Sequence, residues 1–99
     1  MHPEYPCAHC IDTGAVAGAI AAILGTEEIP EVSLTAPTSP GVTHKYTNVR
    51  AFNKEAEEAR IAAGFHWRFS TVVGSDMGWK IGAYTVQNCM QPLKVASKQ

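Results

Sequence analysis

The sequence predicts an all-α fold of three main helices, at about residues 12–25, 50–64 and 70–90, with a long extended connection at 29–49. Three observations predict it. Small and apolar residues recur at helical spacing in three separate stretches. Glycine or proline closes each stretch. Only Val32-Ser33-Leu34-Thr35 alternates like a strand, and one short strand without a partner is a weak signal.

Each element has its own justification. Pro3 and Pro6 hold the first residues extended, and Asp12 or Thr13 can then cap a helix. Val16, Ile20, Ile23 and Leu24 share one face of that helix, and Gly25 is suited to end it. Gly14, Gly18 and Ala22, four apart, form a ridge small enough for close approach by another helix. Pro30, Pro37, Pro40 and Gly41 forbid a long helix in the connection that follows. Asn48 or Asn53 can open the second helix. Its acids Glu55, Glu57 and Glu58 lie towards the end where the helix dipole favours them. Its apolar stripe is Phe52, Ala56, Ala59 and Ala63, and Gly64 stops it. Phe65-His66-Trp67-Arg68-Phe69 reads as an aromatic turn.

Ser70 or Thr71 is the expected cap of the third helix, with Val73, Met77, Ile81 and Tyr84 as its core face. Gly74, Gly78 and Gly82 recur every fourth residue in it. Each interior glycine costs a helix ~1 kcal/mol against alanine, so three in one row need a reason. Close packing against the Gly14/Gly18/Ala22 ridge is the physical one. Residues 94–99 are expected to fray.

Composition narrows the function classes. The 99 residues carry eight Lys and Arg against nine Asp and Glu, with no like-charged run long enough to hold a polyanion. Nucleic-acid binding by bulk charge is therefore not expected. Apolar residues make up 45% and charged residues 17%, which is material for a core. A chain of this size buries only ~60–65% of its unfolded surface, so stability is marginal without a partner. Cys7, Cys10 and Cys89 cannot all pair within one chain, and no disulfide framework is expected. The first residues lack a cationic segment followed by an apolar stretch, so no signal peptide is expected. The longest apolar run, residues 15–24, is about half of what a bilayer requires, so no membrane span is expected either.

Several side chains can carry chemistry. His9 stands at the start of the first helix, Arg60 near the end of the second, and His66 in the turn that follows. Plain readings exist for all three. Arg60 can pair with Glu57 on the helix surface, worth ~0.3 kcal/mol. His66 can be a packing residue and His9 a helix-entry residue. His2 and His44 read as exposed, without a role. Taken together, the residues suit a tetrahedral oxyanion. A helix N-terminus offers N–H groups and a positive dipole, Arg60 a bidentate clamp, His66 a nucleophile or ligand, and His9 a proton donor. A different reading takes Cys7-x-x-Cys10 as a reactive thiol pair or, with His9 or His2, part of a metal site.

Pro6-Cys7-Ala8-His9, followed by Ala59-Arg60 and, after five intervening residues, His66, resembles two signature motifs of the vanadium-dependent haloperoxidase and type 2 phosphatidic acid phosphatase superfamily. The family writes these as Pro-Ser-Gly-His and Ser-Arg-x5-His-x3-Asp. His2-Pro3-Glu4-Tyr5-Pro6, Glu57-Glu58-Ala59-Arg60 and Gly64-Phe65-His66-Trp67 are similar to the flanking text of bacterial haloperoxidase-like members, which points to a bacterial, soluble protein of unassigned compartment. The resemblance implies the C-terminal part of a helical bundle, with His66 and His9 catalytic and with Arg60, Cys7 and the Ala8 N–H binding the oxyanion. It implies vanadate coordinated by His66, with phosphate as its mimic. Hydrogen peroxide and a halide are the reactants if the chain is a haloperoxidase.

The departures carry implications of their own. Cys7 stands for Ser, Ala8 for Gly and Ala59 for Ser, and Ser70 stands where many members have the Asp that orients the second His. The family's upstream Lys and Arg-Pro have no match before Pro6. The expectation is therefore a single partial domain over residues 1–99, impaired on its own. It would complete itself with an N-terminal half or self-associate through bare apolar faces. Its alternative is a catalytically inactive, self-associating helical remnant.

Overall fold

The structure, a computed structural model, describes residues 2–93; the expectation for 94–99 lies outside them. In chain order the elements are α1 (Ala8–Leu24), β1 (Glu28–Thr35), β2 (Thr43–Asn48), α2 (Val49–Ala62) and α3 (Arg68–Asn88). The three expected helices are present. The chain is nevertheless not purely all-α, because the 29–49 connection folds back on itself as a two-stranded antiparallel hairpin.

The hairpin has a physical cause in the residues. The alternating Val32–Thr35 finds its partner in Thr43–Tyr46, with Val32 opposite Tyr46 and Leu34 opposite His44. Both segments are rich in β-branched and aromatic residues, which suit a pleated surface. Pro37, Pro40 and Gly41 fall between the strands rather than inside them, so they make the turn and break nothing. Pro30 coincides with the register irregularity between Glu28 and Val32, where a missing N–H does least harm. The hairpin is tied to α2 by a bidentate pair, with Arg50 Nε and Nη2 donating to Glu27 at 3.0 and 2.8 Å. The Tyr46 ring also meets Phe52 edge-on at 5.2 Å.

Helix ends depart from expectation in an instructive way. α1 begins at Ala8 because Cys7 caps it, its sulfur accepting the Cys10 N–H at 3.2 Å. Cysteine is not among the usual capping residues, so Asp12 and Thr13 looked better. Gly25 ends α1 in the left-handed region, with φ 71°, as expected. Asn48 opens α2, its side chain accepting the Ala51 N–H at 2.9 Å. α3 begins ahead of Ser70 and Thr71, behind Trp67, whose own side chain caps nothing.

Packing is dominated by the seam between α1 and α3. Gly74 lies against Cys7 and Cys10, Gly78 against Ile11 and Ala15, and Gly82 against Ala15 and Ala19. Both numberings rise together, so the two helices run parallel. Gly14 faces Ser75 and Gly78, and Gly18 faces Trp79, so the two small-residue ridges do meet. α2 crosses back antiparallel, with Arg50 over the Trp79 ring at 4.0 Å and Asn53 Nδ2 donating to Thr13 Oγ1 at 2.9 Å.

The expected core faces are corrected by this seam. The buried apolar residues are Cys7, Cys10, Ala17 and Val49. Val16, Ile23 and Leu24 on α1, and Met77, Ile81 and Tyr84 on α3, are exposed. Buried positions on α3 are instead Ser70, Thr71, Gly74, Ser75, Gly78 and Gly82. A close helix contact is made by the residues with the least side chain. The large apolar side chains on the other faces keep much of their surface exposed.

The seam makes a signed prediction. Gly78→Ala gains ~1 kcal/mol of helix propensity. Its new Cβ would run into the Ile11 carbonyl oxygen and come within 2.8 Å of the Ala15 nitrogen, both backbone atoms that cannot rotate aside. Overpacking of this kind costs ~1–3 kcal/mol, so the variant should be less stable by up to about 2 kcal/mol in urea denaturation. A raised midpoint would refute the close seam.

The ion pairs predict acid sensitivity. Arg50 holds the Glu27 carboxyl below its ordinary 4.5, and Arg68 does the same for Glu58. A carboxyl depressed in the folded state contributes stability that is complete above the unfolded value and lost as pH falls through the folded one. Both pairs are exposed, so each effect is small. The melting temperature should stay level above about pH 5 and fall below pH 4. Glu27→Gln should shallow that fall.

Candidate functional site

Three segments remote in sequence meet where α1 begins. They are the stretch before α1, the end of α2 with Arg60, and the turn carrying His66. His2, Ala8, His9, Arg60 and His66 line one cavity of about 420 Å³, with Pro3, Tyr5, Pro6 and Ile11 as its apolar wall.

His66 is buried, and both ring nitrogens are engaged. Nδ1 lies 2.8 Å from the Glu4 carbonyl oxygen. A carbonyl only accepts, so Nδ1 carries a proton, and in the neutral form of the ring the lone pair is left on Nε2. Nε2 is 3.5 Å from Arg60 Nη2, a donor. Arg60 lies over the Phe65 ring at 4.5 Å, and its buried Nε has no hydrogen-bond partner among the described residues. The expected surface pairing of Arg60 with Glu57 is not what forms. Glu57 is beside Lys54 at 3.5 Å, and Arg60 turns to His66.

Glu4 is the residue that sequence reasoning missed. Its Oε1 accepts from Ser70 Oγ at 2.7 Å, and its Oε2 accepts the Trp67 N–H at 3.0 Å. Oε2 is also 3.3 Å from His66 Nδ1. The Ser70 hydroxyl, then the Trp67 N–H, hold the Glu4 carboxyl below its usual range, against the opposing effect of desolvation. The expectation that nothing stands in for the family Asp near Ser70 is therefore corrected, since a carboxylate reaches Ser70 from the other end of the chain. No spacing rule ties Glu4 to Ser70; the only signal was an acid set between Pro3 and Pro6. His2 was also underread. Its Nε2 is 3.1 Å from the Phe65 carbonyl oxygen, and its ring meets His66 edge-on at 4.8 Å. His44, far from the site, pairs with Glu55 at 3.2 Å.

Of the expected oxyanion binders, Ala8 lines the cavity and Cys7 does not. Cys7 is bonded to Cys10 as a disulfide, and its N–H is directed to the Ser70 carbonyl at 3.3 Å. This corrects both the expected donor role of Cys7 and the expectation of unpaired cysteines. A Cys-x-x-Cys that opens a helix puts its Cα atoms 5.3 Å apart, within disulfide reach. Cys89 is free and exposed. Ala8 in place of glycine brings no strain, because it is helical; among the described residues the non-glycine residue with positive φ is Met90. The Ala8 and His9 N–H groups open α1 with no carbonyl of their own helix in reach. His9 itself is exposed. Among the described residues no three His, Cys, Asp or Glu side chains are grouped to hold a metal ion, which leaves the zinc reading without a ligand set.

The family described as the VCPO second helical-bundle domain matches residues 1–94. The chain belongs to that family. Among solved structures, that of an apo-type bacterial vanadium-dependent chloroperoxidase is similar, with a TM-score of 0.64 and 19% identity over 87% of this chain. At that identity the likeness bears on the fold alone. This VCPO second helical-bundle domain spans 22% of that protein's length. None of the curated proteins matches it. Among its described residues no helix is long and apolar enough to cross a membrane.

The cysteine arrangement is directly testable. Thiol titration of this VCPO domain, unfolded without reductant, should return one reactive thiol, from Cys89. Three thiols would refute the Cys7–Cys10 pairing.

Proposed function

We propose that this domain holds a small tetrahedral oxyanion, vanadate or phosphate, in the cavity at the start of α1, as a haloperoxidase-like or acid phosphatase-like site. The observation that carries the reading is the meeting of His66 Nε2 and the Arg60 guanidinium on one cavity wall, with an Arg60 N–H left over. A half-buried guanidinium cannot shed its charge, and its buried Nε wants an acceptor. The N-terminus of α1 and the exposed His9 complete the surroundings. The solved relative's description as vanadium-dependent makes vanadate the favoured guest, and its chloroperoxidase activity makes hydrogen peroxide and a halide the favoured reactants.

The residues divide the work by their chemistry. Arg60 would supply paired N–H donors to oxygens of the bound oxyanion. The Ala8 N–H and the dipole of α1 add positive potential at the same place. His66 presents Nε2 as ligand to the central atom. Bound vanadate would supply the activation of peroxide towards halide oxidation. For a phosphate ester, His66 Nε2 would instead form a bond to phosphorus as the P–O bond to the leaving group breaks, and His9 would give that oxygen its proton. Pro3, Pro6 and Tyr5 give one side of the cavity an apolar wall.

Magnitude bounds the affinity of the isolated domain. Two or three charge-assisted hydrogen bonds at ~1.5 kcal/mol each give a dissociation constant on the order of millimolar. A tighter cradle needs further cations, such as the family's upstream Lys and Arg-Pro. The exposed faces of Val16, Ile23, Leu24, Met77, Ile81 and Tyr84 favour a second reading, a self-associating remnant without activity.

Vanadate titration followed by vanadium NMR separates the two readings. The wild type should bind at about millimolar vanadate. Arg60→Ala and His66→Ala should each weaken binding at least tenfold. No binding by the wild type at about ten times that concentration would remove the oxyanion reading. A sedimentation mass of one chain, with a cooperative melt, would remove obligate self-association.

A further inference from the structure

We infer that Glu4 is a positioning residue for His66. By bonding Ser70 and the Trp67 N–H, it holds the proton on His66 Nδ1 and leaves the lone pair on Nε2 facing Arg60. The consequence for ligand binding rests on the oxyanion reading; the positioning itself does not.

The argument begins at the start of α3. Trp67 has no side-chain cap of its own, so the first N–H groups of α3 need an acceptor from elsewhere. Glu4 supplies it, accepting the Trp67 N–H with one oxygen and the Ser70 hydroxyl with the other. A carboxylate is also the group that a helix N-terminus stabilises. The extended stretch before α1 is thereby fastened across α3 at one residue. That fastening delivers the Glu4 carbonyl to His66 Nδ1 at 2.8 Å, with Oε2 behind it at 3.3 Å.

The opposite tautomer meets two like contacts. With the proton on Nε2, the Nδ1 lone pair would face the carbonyl oxygen and carboxylate of Glu4, and the Nε2–H would face the Arg60 N–H. Both sides of the ring therefore select the same form. Only that form points an electron pair into the cavity. One residue thus does two jobs: its side chain caps a helix, and its backbone fixes which nitrogen of a neighbouring imidazole can act on a guest.

The test reads the tautomer directly. In the full chain labelled with nitrogen-15 at histidine, long-range proton–nitrogen correlation at alkaline pH should show His66 with a protonated Nδ1 and a bare Nε2. Glu4→Ala should produce a mixture of tautomers and raise the vanadate dissociation constant about tenfold. Ser70→Ala, which removes one of the carboxylate's hydrogen bonds, should shift both readouts the same way by a smaller factor. It also serves if Glu4→Ala does not fold. A wild type with the proton on Nε2 overturns the inference without any variant. So does a folded Glu4→Ala with the wild-type tautomer, even if its anion binding falls. A tautomer shift in a protein whose wild type binds no vanadate leaves the positioning standing and sinks the oxyanion reading instead.

Discussion

The glycine seam between α1 and α3 is the constraint on which the rest of this small domain depends. Gly14, Gly18, Gly74 and Gly78 bring two backbones together so closely that an added Cβ at any of them would meet backbone of the facing helix. Because the contact is parallel, it brings the two helix starts to the same end. That is why Cys7 lies beside Ser70 and Gly74, and why a residue as early as Glu4 can cap α3. Parallel neighbours also need a return path, which the hairpin and the antiparallel α2 provide. The cavity at the start of α1 is the corner where that path turns into α3.

Electrostatics at this end follow from the same arrangement. Two helix N-termini side by side put two positive dipole ends in one place. The sequence answers with one fixed carboxylate, Glu4, and with a guanidinium and imidazoles that line open space. Arg60 adds positive charge where the dipoles already supply it, held over the Phe65 ring and beside His66.

Much of this was legible in the residues, and the failures are informative. The helices were readable because glycine, proline and asparagine punctuate them. The glycine ridge was readable because its cost has no other physical explanation. His9, Arg60 and His66 were readable through motif resemblance, and they do line one cavity. The hairpin was not, because its strands are short and nearly wholly exposed, so burial leaves no clear period-two mark. The core faces of α1 and α3 were misassigned for a related reason. Periodicity locates a large apolar face but not what covers it. The role of Glu4 depends on contacts more than sixty residues apart in sequence, which no local pattern encodes.

Aligned dipoles of neighbouring parallel helices repel each other, and the α1–α3 contact overcomes that repulsion by close packing and by the Glu4 carboxylate at their shared end. Any negatively charged occupant of the shared end relieves it. An anion that bound there would be thermodynamically linked to folding, tightening the architecture that formed its cavity.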